Sequence, residues 1–332
     1  MHSGKRELIE GALLSALSFI LFSTYIIPVL GGFTSLLSSL PILITAFRSN
    51  LKTATLCLLV STLLVSQFLT IYMGIVFFSF YGTGGLIIGF LLRFKLNPSR
   101  VILAATFLSL IIFVLTLFIM TSSFGVEFPV SQLQDRFLSG IDEVKNSTIA
   151  ALKQQNTAEA DRKIILYESS FENIRLYVRI FMPSLFVFAS ACFAAFYYFL
   201  GQLALKFYVG ARVEPISSFA LPWKFVLFVL AGLLLVMFHR TGNGPDTGSR
   251  TLLDIALNIL VTGVIFYFFQ GIAVIGGAME RNSIPFSLVM LVFLFACVFP
   301  PLLLLLAFLG IMDSWINVRK YFGGTNNESH PA

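Results

Sequence analysis

The stretch that decides the fold is VILAATFLSLIIFVLTLFIMTS, residues 101–122. It carries no charged side chain. Wound as a helix at about 1.5 Å per residue, such a run spans a hydrocarbon layer of about 30 Å. Its apolar residues are continuous rather than alternating. A bilayer core leaves no water for backbone groups, so an unbroken apolar run of this length must satisfy them within a helix. Similar runs cover 9–27, 33–47, 53–71, 73–92, 180–200, 222–239, 252–275 and 285–311. The whole chain is 57% hydrophobic and 11% charged, with a mean hydropathy of +0.90. Soluble domains carry about 25% charged residues. The expected fold class is therefore an all-α integral membrane protein with about 8–9 transmembrane helices.

The net charge of +6 does not point to nucleic acid. Basic residues sit in pairs and triplets at the ends of apolar runs rather than as a stripe on a polar domain. With the N-terminus inside, the inner loops collect Lys5, Arg6, Arg48, Lys52, Arg93, Lys95, Arg100, Lys206, Arg212, Lys224 and Arg281. The short outer loops hold only Arg240 and Arg250. That asymmetry predicts a cytoplasmic N-terminus. Lys5 and Arg6 before the first run also resemble a signal peptide, but the many later runs favour an uncleaved first helix. Cys57, Cys192 and Cys297 lie far apart in apolar runs and read as small packing residues.

Residues 123–179 form one polar insert with seven basic and eight acidic residues. Val130, Leu133, Phe137, Ile141, Val144 and Thr148 recur at helical spacing, as do Ile164, Tyr167, Phe171, Ile174, Val178 and Phe181. Two antiparallel amphipathic helices are predicted outside the membrane, turning at Gln154–Thr157. Thr157 is placed to cap the second helix, which should run into the sixth span. The stripes either pack together or lie on the lipid surface, or else offer a lid or docking surface for an envelope protein. Asn146-Ser147-Thr148 and Asn327-Glu328-Ser329 match a glycosylation sequon, a weak signal at this length. The expected organisation is a membrane bundle over 1–122, this insert, a second bundle over 180–311 and a tail over 312–332.

The segment FLGIMDSWINVRKYF, residues 308–322, concentrates charge where lipid should give way to water. Gly310 is expected to end the last helix and Asp313 to cap a short terminal one. Trp315, Val318 and Phe322 then share a side, with Arg319 and Lys320 at the end. Together Asp313, Trp315, Arg319 and Lys320 read as an interfacial anchor. On a helix, Asp313 and Arg319 are six apart and do not face each other. Nine spans would place the tail outside, against its basic residues. Pro300-Pro301 leaves two readings of 285–311: one tilted, kinked span, or a broken pair that returns the tail to the cytoplasm. Eight spans also result if 33–47 does not cross.

Polar residues inside a membrane are costly and point to function by default. In the eighth span Arg250, Asp254, Asn258 and Thr262 recur every four residues, with Gln270 further on. Asp254, Asn258, Thr262 and Gln270, with Ser38 of the short second span, form the candidate polar pocket. The competing reading takes Thr251 and Asp254 as a capping box. Ala12 with Ala16, and Gly85 with Gly89, are small pairs four apart that let helices approach closely. They serve internal packing or a second membrane subunit, the former expected more strongly. GTGGLIIG lacks the preceding strand and the Lys of a phosphate loop. No metal-binding or nucleophile motif appears, no cofactor is indicated, and an enzyme is not expected.

The run LGIMDSWINVRK resembles the C-terminal signature of the YybS-like family of predicted bacterial membrane proteins. LPILITAFRSN, GTGGLIIGFLLR and FQGIAVIGG follow the same order as in that family. The resemblance implies a bacterial inner-membrane location and supplies no activity. The first six spans are similar to the substrate-binding membrane subunits of energy-coupling-factor vitamin transporters, whose Ala-xxx-Ala pair Ala12 and Ala16 match. The same plan resembles MreD-type cell-shape proteins. These likenesses imply a solute-recognising or transport-associated subunit, or alternatively a scaffold for envelope or division proteins. The extra C-terminal spans and the insert depart from simple vitamin-binding subunits.

Overall fold

A computed structural model of the chain describes residues 2–27, 30–124, 129–154, 157–208, 210, 213–241, 247–282, 284 and 286–321. Phe322 and the sequon at 327–329 lie outside the described residues, as do the side chains of Val130 and Leu133. The described residues are overwhelmingly helical, and no strand occurs among them. The helices are α1 His2–Ser23, α2 Leu30–Leu36, α3 Ser39–Arg48, α4 Leu51–Phe68, α5 Ile71–Val76, α6 Thr83–Leu92, α7 Pro98–Phe124, α8 Pro129–Lys153, α9 Ala158–Tyr208, α10 Val226–Thr241, α11 Thr247–Arg281, α12 Phe286–Val298 and α13 Pro300–Ile316. Between α5 and α6, Phe77–Gly82 widens into a π-turn, so Ile71–Leu92 reads as one long helix. Among the described residues, six helical segments are long and apolar enough to cross a membrane: Ile9–Ile26, Leu51–Phe68, Ile71–Leu92, Pro98–Ile119, Glu159–Phe207 and Thr251–Arg281. Thr34–Arg48, Trp223–Phe238 and Pro300–Ile316 are shorter apolar helices. This is the all-helical, multi-pass membrane architecture that the apolar runs require.

Two compact units divide the chain: Met1–Phe113, Val187–Val229 and Thr262–Ala332 make the first, and Val114–Phe186 with Leu230–Val261 the second. In the first, Phe22, Ile42, Cys57, Leu58, Val65 and Phe77 form a core cluster. Phe22 meets Phe77 and Tyr81 edge-on at 5.0 and 5.1 Å, the geometry that aromatic quadrupoles favour. Gly85 and Gly89 lie against the backbone carbonyls of Ser39 and Leu43, where a Cβ would overlap them. That glycine pair is therefore spent on docking α6 to α3. Ala12 and Ala16 are instead exposed on α1. Helical hydroxyls such as those of Thr45, Thr83 and Thr106 donate to the carbonyl four residues back, which satisfies them without water.

Phe266, Tyr267, Phe268, Phe269 and Gln270 are consecutive and all buried, so α11 is covered on every side there. Gly271 faces the Leu306 carbonyl and Gly310 faces the Tyr267 carbonyl, which fixes a close crossing of α11 and α13. About ten residues further along both helices, Arg281 donates to the Arg319 carbonyl at 2.9 Å. The two helices thus run parallel and end together. α12, which connects them, must run back. The segment 285–311 is therefore a broken pair and not one kinked span. The break falls at Phe299, with φ −112° and ψ 93°, and Pro300 and Pro301 open α13 at positions whose N–H groups need no partner. The chain returns to the end it left at Arg281, and the nine-crossing reading that placed the tail on the opposite side is corrected.

In the second unit the predicted amphipathic hairpin is present as α8 and the first part of the 51-residue α9. Arg175 pairs with Asp142 at 2.9 Å and Lys145 with Glu172 at 3.2 Å. The pairing steps forward on one helix and backward on the other, so the helices are antiparallel. Thr157 Oγ1 accepts from Ala160 N at 3.2 Å and caps α9 as expected. The seam keeps part of the predicted stripe: Ile141 and Thr148 of α8 and Ile164, Phe171 and Val178 of α9 are half-buried. Leu138 and Ile149 are buried, whereas Phe137 and Val144 are 55% and 56% exposed. The ion pairs account for the difference: Asp142 and Lys145 share the contact line on α8, and Phe137 and Val144 turn outward.

Candidate functional site

Gln270 is 1% exposed, and at that depth its amide must find partners. Its Oε1 accepts from Leu221 N at 3.2 Å, and its Nε2 donates to Asp313 Oδ2 at 2.9 Å and to Ser314 Oγ at 3.1 Å. Asp313 Oδ2 also accepts from Arg319 Nε at 3.0 Å, with the aspartate side chain only 4% exposed. The rest of the Arg319 fork donates to backbone: Nη1 to the Ser217 carbonyl at 2.7 Å, and Nη2 to the Phe219 carbonyl. Ser217 Oγ donates to Glu280 Oε2 at 2.6 Å. One polar network therefore ties α11, α13 and the loop before α10 together. A buried ion pair offsets its desolvation only with good geometry and further hydrogen bonds, and both are present.

Asn317 makes this pairing possible. It sits in the left-handed region at φ 53° and ψ 60° and ends α13 at Ile316. The chain reverses there, so Arg319 folds back onto Asp313. Three expectations are corrected. Gly310 does not end the helix but packs α13 on α11; Asp313 lies within α13 and is no N-cap; and Asp313 with Arg319 faces inward as a pair rather than anchoring the interface. Trp315, at 69%, and Lys320 are exposed at the end of α13. The six-residue separation misled because it assumed a continuous helix.

Two cavities adjoin this network. One of about 110 Å³ is walled by Phe196, Phe199, Phe219, Phe269, Val289 and Phe293. The other, of about 380 Å³, is lined by Ser217, Ser218, Gly277, Glu280, Arg281 and Arg319. Ser217 and Glu280 line both, so the apolar and polar chambers share a hydrogen-bonded threshold. Sequence reading found Gln270, Asp313 and Arg319 but missed Ser217 and Glu280. A loop serine and a helix-end glutamate carry no signal until the loop is seen to fold under α11.

The polar residues of the eighth span do not converge on one pocket. Asn258 lies beside Pro183 of α9. Its Nδ2 donates to the Ile180 and Asp254 carbonyls, both at 2.8 Å, and its Oδ1 accepts from Ser184 N at 3.1 Å and Ser184 Oγ at 2.6 Å. The amide thus bridges the gap in the α9 ladder just after the proline. Asp254 contributes its carbonyl to that contact. Thr262 and Ser38 are buried, and the Ser18 hydroxyl donates to the Ser38 carbonyl. Asp254, Asn258, Thr262, Gln270 and Ser38 line neither cavity. Among the described residues no group of three His, Cys, Asp or Glu is placed to hold a metal.

No curated protein and no solved structure gives a significant match. Residues 13–314 match the profile of a family described as predicted membrane protein, DUF2232. The match spans α11 and reaches Ser314, which takes in Gln270 and Asp313 and stops short of Arg319. On that coverage, the chain belongs to the DUF2232 family of predicted membrane proteins.

Proposed function

We propose that this protein is a solute-recognising, transport-associated subunit of a bacterial inner membrane, with its site where α11, α13 and the loop before α10 meet. The observation that carries the reading is the pairing of a polar and an apolar chamber across the Ser217–Glu280 threshold, with the Asp313–Arg319 pair beside it. Concave sites with mostly apolar walls and a few placed polar groups are where small ligands bind. The basic residues at this end, Lys206, Lys224, Arg281, Arg319 and Lys320, favour the cytoplasmic side. The YybS-like resemblance agrees with that location. The likeness to energy-coupling-factor subunits agrees with solute recognition, and exposed Ala12 and Ala16 leave a smooth face on α1 for a second membrane subunit. Extraction in native lipid discs followed by mass spectrometry tests this. A small molecule retained in stoichiometric amount, and lost in Glu280→Ala, supports it; discs that hold only bulk lipid in both proteins contradict it.

One observation favours the scaffold reading. The α8–α9 hairpin leaves Phe137, Val144, Ile165, Leu166 and Tyr177 more than half exposed. An envelope protein that docks there would co-purify with the wild type and be lost from Phe137→Ser/Val144→Ser.

A further inference from the structure

The shape and charge of the paired chambers restrict what they hold. The Arg319 guanidinium is committed on all three nitrogens, to Asp313, Ser217 and Phe219. It sets the wall, and although each Nη keeps one further N–H, its charge is already balanced by Asp313. Arg281 uses Nη1 on the Arg319 carbonyl, and Glu280 uses Oε2 on Ser217. Among the described residues, the charges that face the 380 Å³ chamber without a counter-ion are thus Glu280, whose Oε2 is on Ser217, and Arg281, whose Nη1 is on a carbonyl. As neighbours on a helix they point about 100° apart, so they present two charges of opposite sign at separate places. A ligand of one sign pairs with one and meets the other unfavourably; a zwitterion pairs with both.

The apolar chamber sets the other end. At about 110 Å³ it is smaller than the roughly 150 Å³ engineered cavity of another protein that takes one benzene. A full acyl chain does not fit in it. A branched aliphatic group smaller than a benzene ring does, and five phenylalanines and a valine are among its walls.

We propose that the two chambers together bind a small zwitterionic amphiphile. Its ammonium sits against Glu280, its anionic group against Arg281, and its compact apolar group lies among Phe196, Phe219, Phe269 and Phe293. The chemistry is that of a free apolar α-amino acid or a close derivative; an aminophospholipid headgroup carries the same charges and is the source to be distinguished. This rests on the solute-recognising reading and names its ligand class.

The test is calorimetric titration of the full chain in phosphatidylglycerol nanodiscs. The probes are L-leucine, 4-methylpentanoate, which lacks the ammonium, and leucinamide, which lacks the carboxylate. Leucine is expected to bind at least about tenfold more tightly than either analogue, the scale of one hydrogen bond to a charged group. Glu280→Gln should erase the preference over 4-methylpentanoate alone, and Arg281→Gln the preference over leucinamide alone. Gln at 280 still accepts from Ser217, so that variant keeps the threshold. Equal binding of leucine and either analogue overturns the zwitterion and leaves solute recognition standing. Loss of leucine binding when phosphatidylethanolamine is added overturns the free-molecule source. Binding of none of the probes, in protein that retains another small molecule from native lipid, overturns the ligand class alone. Binding of none, with nothing retained, overturns both readings.

Discussion

Asp313 and Arg319 hold each other in a place where neither charge is tolerated alone. Asp313→Asn leaves the guanidinium facing two carbonyls without its counter-ion. We expect a loss of about 2 kcal/mol, discounted from the fully buried case because Arg319 keeps 20% exposure. Thermal unfolding in detergent measures it, and Asp313→Asn/Arg319→Gln should cost less than the sum of the singles. Additive losses contradict a coupled pair. Asn258 gives a second residue-scale prediction. If its amide bridges the α9 ladder after Pro183, Asn258→Leu should cost about 1–3 kcal/mol, the scale of orphaned buried groups. Pro183→Ala closes the ladder and should shrink that cost; an unchanged cost contradicts the role. The sequence marked Asn258 and Gln270 as buried polar residues needing partners. It did not show that Asn258 is occupied in repair and Gln270 in a network, because the partners Ser184, Leu221 and Asp313 are distant in sequence.

Helices were read well from apolar length, and their ends less well. The reversal at Asn317 was hidden because only glycine advertises a left-handed cap strongly, and Gly310 stood nearby as the better-known signal. The break before Pro300 was legible as one of two alternatives, and the α11–α13 crossing decides between them. At that crossing Gly271→Ala or Gly310→Ala drives a methyl into a backbone carbonyl, and about 3 kcal/mol of stability should be lost. Around Gly140 of α8, nothing lies within 4 Å of where a methyl would stand, so Gly140→Ala should stabilise the hairpin by up to about 1 kcal/mol. The same substitution with opposite signs, read by helicity loss on heating, separates packing from propensity. The hairpin's existence, turn and cap were likewise visible. Its seam was visible only in part, because apolar periodicity alone cannot foresee that Asp142–Arg175 and Lys145–Glu172 share the contact line.

At the scale of the whole molecule, composition was enough for the class and insufficient for the path. A chain of this hydropathy must solvate its helices in lipid, so the multi-pass architecture was fixed by the repeated apolar runs. Whether the last apolar segment crosses once or returns is decided by long-range contacts, the α11–α13 crossing and the Arg281–Arg319 hydrogen bond, that local pattern does not encode. The returning path puts Lys320 at the same end as Arg281 and the loop before α10, and so gathers the two chambers and their charges on one face. The direct test is membrane-impermeant thiol labelling of intact cells and inverted vesicles, in a protein whose native cysteines are replaced. Asn282→Cys and Lys320→Cys should label from the same side, the inverted-vesicle side. Labelling of Lys320→Cys from the opposite side to Asn282→Cys would contradict the returning pair and the site built on it.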